Sequence, residues 1–307
     1  MTTLKPAIPA VFAFALWAPL AFGQSMPAGE TIPITEGPGA AESPPAGTTN
    51  FFGLDAAPLT EPLVTDRPDF TEATNTVPRG HLQLELGYTF SYDKEDENRT
   101  TDHTLPEFLL RTGLNDWLEL RIGWAGWSRT EDLFREKNDV GRTVTMTEIE
   151  RGFNDLYLGF KVALCEQDGF RPALSLIPAI TVPSGSTNKT SGDVDPEIKI
   201  AWGYDLTEDL ALSGNLNFAV PTTGDNDRFF QVANSISLAR SFNDWLGGYV
   251  EYFGFYPNER GSDCAHYVNG GLTFLVTDNL QFDVRVGKGL NEEADDIFAG
   301  AGMAIRY

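Results

Sequence analysis

The chain has 307 residues and is strongly acidic, with 44 Asp and Glu against 22 Lys and Arg and a formal net charge of −22. Such a balance repels a phosphate backbone and excludes a nucleic-acid partner. Mean hydropathy is −0.22, and beyond the N-terminus no stretch of about 18 apolar residues occurs, which excludes a helical membrane protein but not a barrel, whose strands need only alternate residues apolar.

Ala7–Phe22 is an apolar run preceded by Lys5 and followed by the small-x-small pattern Ala21-Phe22-Gly23. It is too short for a good spanning helix and reads as a cleavable secretory signal over residues 1–23. Residues 24–63 are rich in Pro, Gly, Ala and Thr, as in Gly37-Pro38-Gly39 and Ser43-Pro44-Pro45-Ala46-Gly47. They read as a flexible linker. Residues 64–80 are polar and contain Pro68 and Pro78. They read as an ordered, non-strand lead-in to the first strand.

From His81 a period-two pattern begins and holds to Tyr307. In the first strand Leu82, Leu84, Leu86, Tyr88, Phe90 and Tyr92 share one face, and His81, Gln83, Glu85, Gly87, Thr89 and Ser91 the other. Further strands are expected near 105–113, 117–127, 153–165, 170–182, 194–205, 210–220, 228–240, 245–256, 266–275, 280–289 and 297–307. One set of connections is short and rich in turn formers: Leu114-Asn115-Asp116-Trp117, Glu166-Gln167-Asp168-Gly169, Leu206-Thr207-Glu208-Asp209, Phe242-Asn243-Asp244-Trp245 and Val276-Thr277-Asp278-Asn279. The alternate connections (93–104, 129–152, 183–193, 221–227, 257–265 and 290–296) are mostly longer and more polar. Short turns at one end and long loops at the other are the asymmetry of an outer-membrane barrel with periplasmic turns. The expected fold is all-β: a closed, antiparallel, up-and-down transmembrane β-barrel of about twelve strands over residues 81–307.

Alternation alone also fits a soluble sandwich, so the choice rests on its extent. The apolar phase includes Leu118, Leu120, Ile122 and Trp124; Leu156, Leu158 and Phe160; Phe282, Val284 and Val286, all uncharged. A charge at mid-bilayer on a lipid face costs roughly 2–4 kcal/mol, so lipid clears that face selectively. Aromatic residues gather near strand ends, as interfacial girdles do. The final in-phase aromatic, Tyr307, resembles the C-terminal assembly signal of outer-membrane proteins, although Phe is the usual residue. These features place the chain in a bacterial outer membrane. Its expected partners are the membrane lipid and lipopolysaccharide, periplasmic chaperones and the barrel assembly machinery.

The opposite phase carries Glu85, Glu107, Arg111, Glu119, Arg121, Asp155, Lys161, Glu197, Lys199, Asp283 and Arg285. Several are spaced for mutual pairing: Glu119 with Arg121, Glu197 with Lys199, Asp283 with Arg285, Glu107 with Arg111, and Asp155 with Lys161. Two readings stand: a polar pore tuned by these charges, or a salt-bridged interior that fills a narrow barrel and conducts little. The acidic loops Asp93–Glu97 and Glu292–Asp296 are read as solvated in preference to cation-binding. His266 lacks serine and amide partners for catalysis, and His81 with Glu85 is too few ligands for a metal. The expectation is therefore a non-enzyme without cofactor. Cys165 and Cys264 fall at opposite ends of a wall about 25 Å tall and should not pair.

Thr65-Asp66-Arg67-Pro68-Asp69-Phe70-Thr71-Glu72, with Val77-Pro78-Arg79-Gly80-His81-Leu82-Gln83-Leu84-Glu85, resembles the bacterial transporter-like outer-membrane barrels of the MetA-pathway of phenol degradation family. Pro106–Leu114, Asp155–Lys161 and Gly203–Thr207 extend the resemblance, which covers about residues 64–307. It implies a channel for small organic solutes, with aromatic or hydrophobic ones as candidates, and brings no catalytic or substrate residues with it. For the segment 64–80 two readings stand: a plug or clamp at the periplasmic mouth, or a simple lead into the first strand.

Overall fold

The computed structural model describes residues 48–49, 55–137, 142–223, 227–259 and 261–307. The expected signal peptide, and the linker over 24–47 and 50–54, lie outside the described residues. Twelve antiparallel staves form the wall. They are β1 (Leu82–Glu95), β2 (Asn98–Asn115), β3 (Leu118–Trp124, continuing as Trp127–Lys137), β4 (Thr143–Phe153, continuing as Leu156–Cys165), β5 (Ala173–Val182) and β6 (Asp195–Thr207). The circuit continues with β7 (Leu210–Ala219), β8 (Phe230–Asn243), β9 (Leu246–Asn258), β10 (Ala265–Thr277), β11 (Leu280–Gly289) and β12 (Ile297–Arg306). Each stave pairs with its sequence neighbour. β12 returns to β1 in continuous register from Ile297 opposite Tyr92 to Arg306 opposite Gln83, so the sheet has no edge at membrane depth.

The period-two pattern dictates an inside-out protein. Val286 is 55% exposed on the outside while Arg285, one residue back, is 7% exposed inside. Leu158, Phe160, Ile198, Ile236, Leu238, Leu272, Phe282 and Val284 are likewise exposed. Glu85, Arg111, Glu119, Arg121, Lys161 and Asp283 are buried on the other face. Such a surface is stable only against hydrocarbon.

The short turns close as their residues require. Asn115 Oδ1 accepts from Trp117 N at 2.9 Å, and Asn243 Oδ1 from Trp245 N at 3.0 Å and Leu246 N at 2.9 Å. At the other end the strands outrun the expected limits. Residues 93–104 form a hairpin turning at Asp96 (φ 52°), not a loop. Much of 129–152 is a hairpin, Trp127–Lys137 paired with Thr143–Phe153, that also pairs with the first half of β2. Both sides of these extensions are Thr-, Glu- and Arg-rich. Without one apolar face, their strand character left no alternation to read.

Cys165 and Cys264 are both free, as their separation along the wall requires.

Candidate functional site: a lumen filled by the chain's own lead-in segment

The residues before β1 run through the barrel. At the short-turn end Arg306 Nη2 donates to Glu61 O at 2.7 Å, and Leu63 N donates to Asp278 O at 2.7 Å. From Thr65 to Ala73 every residue is buried, with Asp66 and Glu72 at 0% exposure. The chain then doubles back. Ser175 Oγ donates to Thr74 O, Val77 N donates to Glu119 Oε2 at 2.8 Å, and Gly80 N meets Gly113 O before β1 begins.

No regular structure holds this excursion, so its backbone is satisfied by wall side chains, as buried peptide groups demand. Asp66 N donates to both Glu85 oxygens at 3.1 and 3.0 Å. Phe70 N and Thr71 N donate to the two Glu251 oxygens at 2.8 and 2.7 Å. Arg285 Nη1 donates to Pro68 O at 3.1 Å, and Gln83 Nε2 to Val64 O at 2.8 Å.

The charged side chains of the segment are complementary to the wall. Asp66 lies among Arg111 (3.4 Å), Arg121 (2.5 Å) and Lys161 (3.0 Å). Glu72 bridges Arg121 at 2.9 Å and Lys199 at 2.8 Å. Arg67 does the reverse, reaching Glu107 at 3.0 Å and Asp283 at 3.2 Å. Gly87 permits that reach, because a Cβ there would collide with the guanidinium. Asp66, Arg67 and Glu72 are thus each paired with ions of opposite sign, the condition under which such burial is tolerated.

At its far end the segment places Phe70 in an aromatic cluster on the lumen wall. Its ring stacks on Phe253 with centroids 4.7 Å apart, and Phe253 stacks on Tyr267 at 4.7 Å, with Phe255 and Phe298 packed edge-on or tilted. Ala233 and Ala294 complete it.

The segment's two aspartates sit in opposed fields. Burial pushes the Asp66 carboxyl up, but Arg111, Lys161 and Arg121 outweigh it and hold the group well below the usual carboxylate range. Burial, reinforced by the Glu251 carboxylate, pushes Asp69 well above that range, against the hydrogen bond it accepts from Ser237 Oγ at 2.8 Å.

The eleven charges expected to line the lumen divide by partner. Glu119–Arg121 (2.9 Å) and Glu197–Lys199 (3.2 Å) pair along their own strands. Glu85, Glu119 and Arg111 join across β1, β2 and β3. The other three spacings do not pair internally, because the inserted segment supplies nearer partners: Arg67 to Asp283 and Glu107, Asp66 to Lys161, the Pro68 carbonyl to Arg285. Asp155 lies apart from them and holds the outer loop, accepting from Ser184 N, Gly185 N, Thr190 Oγ1 and Ser191 N. Tyr307 is 66% exposed, and its backbone pairs with Leu82.

Sequence reasoning missed Glu251, a central ligand of the segment. On β9 the inward phase also carries Tyr249, Phe253 and Phe255, so aromatic residues stood on both faces and hid which face was the lumen. It also missed Asp66, Arg67, Asp69 and Glu72, whose lead-in has no periodicity to interpret.

A closed wall with an apolar exterior and a charged interior defines a bacterial outer-membrane β-barrel. The family model described as Putative MetA-pathway of phenol degradation matches residues 65–307, and the chain belongs to that family. Among solved structures, an outer membrane channel from Pseudomonas putida F1 superposes with a TM-score of 0.55 at 13% identity, covering 76% of this chain and 98% of that one. The KdgM porin (TM-score 0.41, 11% identity, 73% and 98% covered) and the NanC porin (0.39, 12%, 73% and 98%) are more distant. At these identities the likeness is one of fold. No curated protein sequence matches the chain.

Proposed function

We propose that this protein admits small organic solutes, aromatic ones among them, across the outer membrane through a lumen that segment 64–80 closes at rest. One observation carries the reading: the lumen is occupied by a stretch of the chain with no regular structure, held there by side-chain hydrogen bonds and ion pairs. Strands of the wall cannot leave without opening the sheet, whereas the stretch from Val64 to Val77 is released by exchanging side-chain contacts, with the backbone bond from Gly80 N to Gly113 O left as its tether. The cluster around Phe70 offers flat apolar contact inside an otherwise polar passage and supports aromatic solutes. The reading assigns no catalytic role to any residue. The exposed Tyr307 at the end of β12 is proposed as the contact for barrel assembly, with lipid and lipopolysaccharide around the belt.

A second reading, a non-conducting structural barrel, draws on the same ion pairs, since they fill the interior. Planar-bilayer recording separates the two. The refolded mature protein should show brief openings, and removal of residues 24–80 should convert it to a steadily open channel. A correctly folded barrel that stays silent without those residues would establish the structural reading instead.

A further inference from the structure

The wall of the lumen is divided by charge once the inserted segment is set aside. Arg111, Arg121, Lys161 and Lys199 stand on β2, β3, β4 and β6, while Glu107, Glu251 and Asp283 stand on β2, β9 and β11 with Arg285, among the described residues, as the one buried cation beside them. On the cationic side the wall supplies Glu85, Glu119 and Glu197 as counter-ions, and these serve Arg111, Arg121 and Lys199. Lys161 is different. It is fully buried, and its hydrogen-bond partners among the described residues all belong to the segment: Asp66 Oδ1 and Oδ2 at 3.0 Å each, and Asn75 O at 3.5 Å. Arg121 likewise turns Nη2 to Glu72 and Nη1 to Asp66.

We propose that Lys161, Arg121 and Lys199 form a carboxylate-binding site, that Asp66 and Glu72 occupy it as internal surrogates, and that a small organic anion opens the lumen by competing with them. The proposal rests on the segment acting as a displaceable closure. The physical reason is the cost of an unpaired buried ion. A neutral solute that displaces the segment leaves Arg111, Arg121, Lys161 and Lys199 facing Glu85, Glu119 and Glu197, so that Lys161 must share its cross-strand neighbour Glu119 with Arg111 and Arg121, whereas a carboxylate replaces the one it expels. Charge-assisted contacts of this kind favour the anion by about 10-fold or more over a neutral molecule of the same shape.

The test uses the full mature chain in planar bilayers, with open probability recorded as sodium benzoate or its neutral isostere benzamide is added. Benzoate is expected to raise opening about 10-fold more than benzamide. In Lys161→Met, which loosens the grip on Asp66 and removes the site, basal opening should rise and the benzoate preference should vanish. A disulfide-locked form, Asp69→Cys with Ser237→Cys in a background of Cys165→Ser and Cys264→Ser, serves as the control for closure. Equal responses to the two probes in the unsubstituted chain, with the locked form silent, would overturn the carboxylate site and leave the closure intact. A locked form that opens like the unsubstituted chain would overturn the closure and the site together. The benzoate comparison needs no substitution, so the outcome does not depend on the Lys161 variant folding.

Discussion

Arg67 and Asp283 are 216 positions apart in sequence, yet their side chains meet at 3.2 Å inside the barrel, with Glu107 on the other side of the same guanidinium. Two carboxylates from opposite flanks of β1 therefore converge on one cation of the inserted segment. Arg67→Ala would leave both with no counter-ion at this point. Removing one partner of a buried ion pair costs about 3–5 kcal/mol. The closed state alone bears that cost, so the variant should show a large rise in open probability in bilayer recordings, while the barrel's heat-modifiable migration in gels stays unchanged.

Gly87→Ala tests the same contact from the wall. The added Cβ would strike the Arg67 guanidinium and a Glu107 oxygen, all side-chain atoms, so the strand itself has no reason to move. Opening should increase in the single variant. In an Arg67→Ala background the glycine substitution should add little, because the guanidinium that makes the two nearest collisions is gone and the Glu107 carboxylate, no longer held by it, can turn aside. A double-mutant cycle on open probability measures that coupling, which for residues in contact is commonly about 0.5–3 kcal/mol.

The segment should also respond to pH through Asp69. Its folded-state pKa is raised by burial and by Glu251, so the closed state prefers the protonated form. The stabilisation is fully present below the ordinary carboxylate range and is lost as pH rises through the elevated value. Asp66 has the opposite sign. Its pKa is depressed, so its contribution is present throughout neutral and mildly acidic solution and is lost only in strong acid. Open probability should accordingly climb as pH is raised from mildly acidic to alkaline. Asp69→Asn should flatten that dependence, and a variant retaining the full slope would refute the assignment to Asp69.

Val284 faces outward on β11, 43% exposed between the similarly exposed Phe282 and Val286. Val284→Arg should destabilise folding in lipid by roughly 2–4 kcal/mol, the depth-dependent cost of a guanidinium on the lipid face. Urea titration of refolding into lipid vesicles gives the value.

Asp155 gathers Ser184 N, Gly185 N, Thr190 Oγ1 and Ser191 N around one carboxylate at the start of the membrane half of β4. Asp155→Ala should release the 183–193 loop, with faster trypsin cleavage at Lys189 in intact cells or vesicles and unchanged barrel stability.

How much could be read in advance differs element by element. In β1 from Leu82 to Tyr92, in β6 from Pro196 to Leu206 and in β11 from Leu280 to Val286 one face is uncharged throughout, and alternation alone gave their positions and orientation. Glu119 beside Arg121 and Glu197 beside Lys199 were legible as pairs because a strand brings residues two apart onto one face. The outer hairpins between β1 and β2 and between β3 and β4 were not legible as strands, since polar residues stand on both their faces. Glu251 was masked by aromatic residues on both faces of β9.

The sequence by itself determined the barrel: lipid imposes one apolar face on every spanning strand, and that constraint is local, recurring every second residue. What fills the barrel was decided only in three dimensions. Thr65-Asp66-Arg67-Pro68-Asp69-Phe70-Thr71-Glu72 carries the family resemblance and left a plug and a simple lead-in both open, but its ion-pair partners Arg121, Lys161, Lys199, Glu107 and Asp283, and the Glu251 that holds its backbone, are brought around it only by the closed wall. Those partners come from staves scattered over some two hundred residues, and ion pairing across a lumen leaves no periodic trace along the chain.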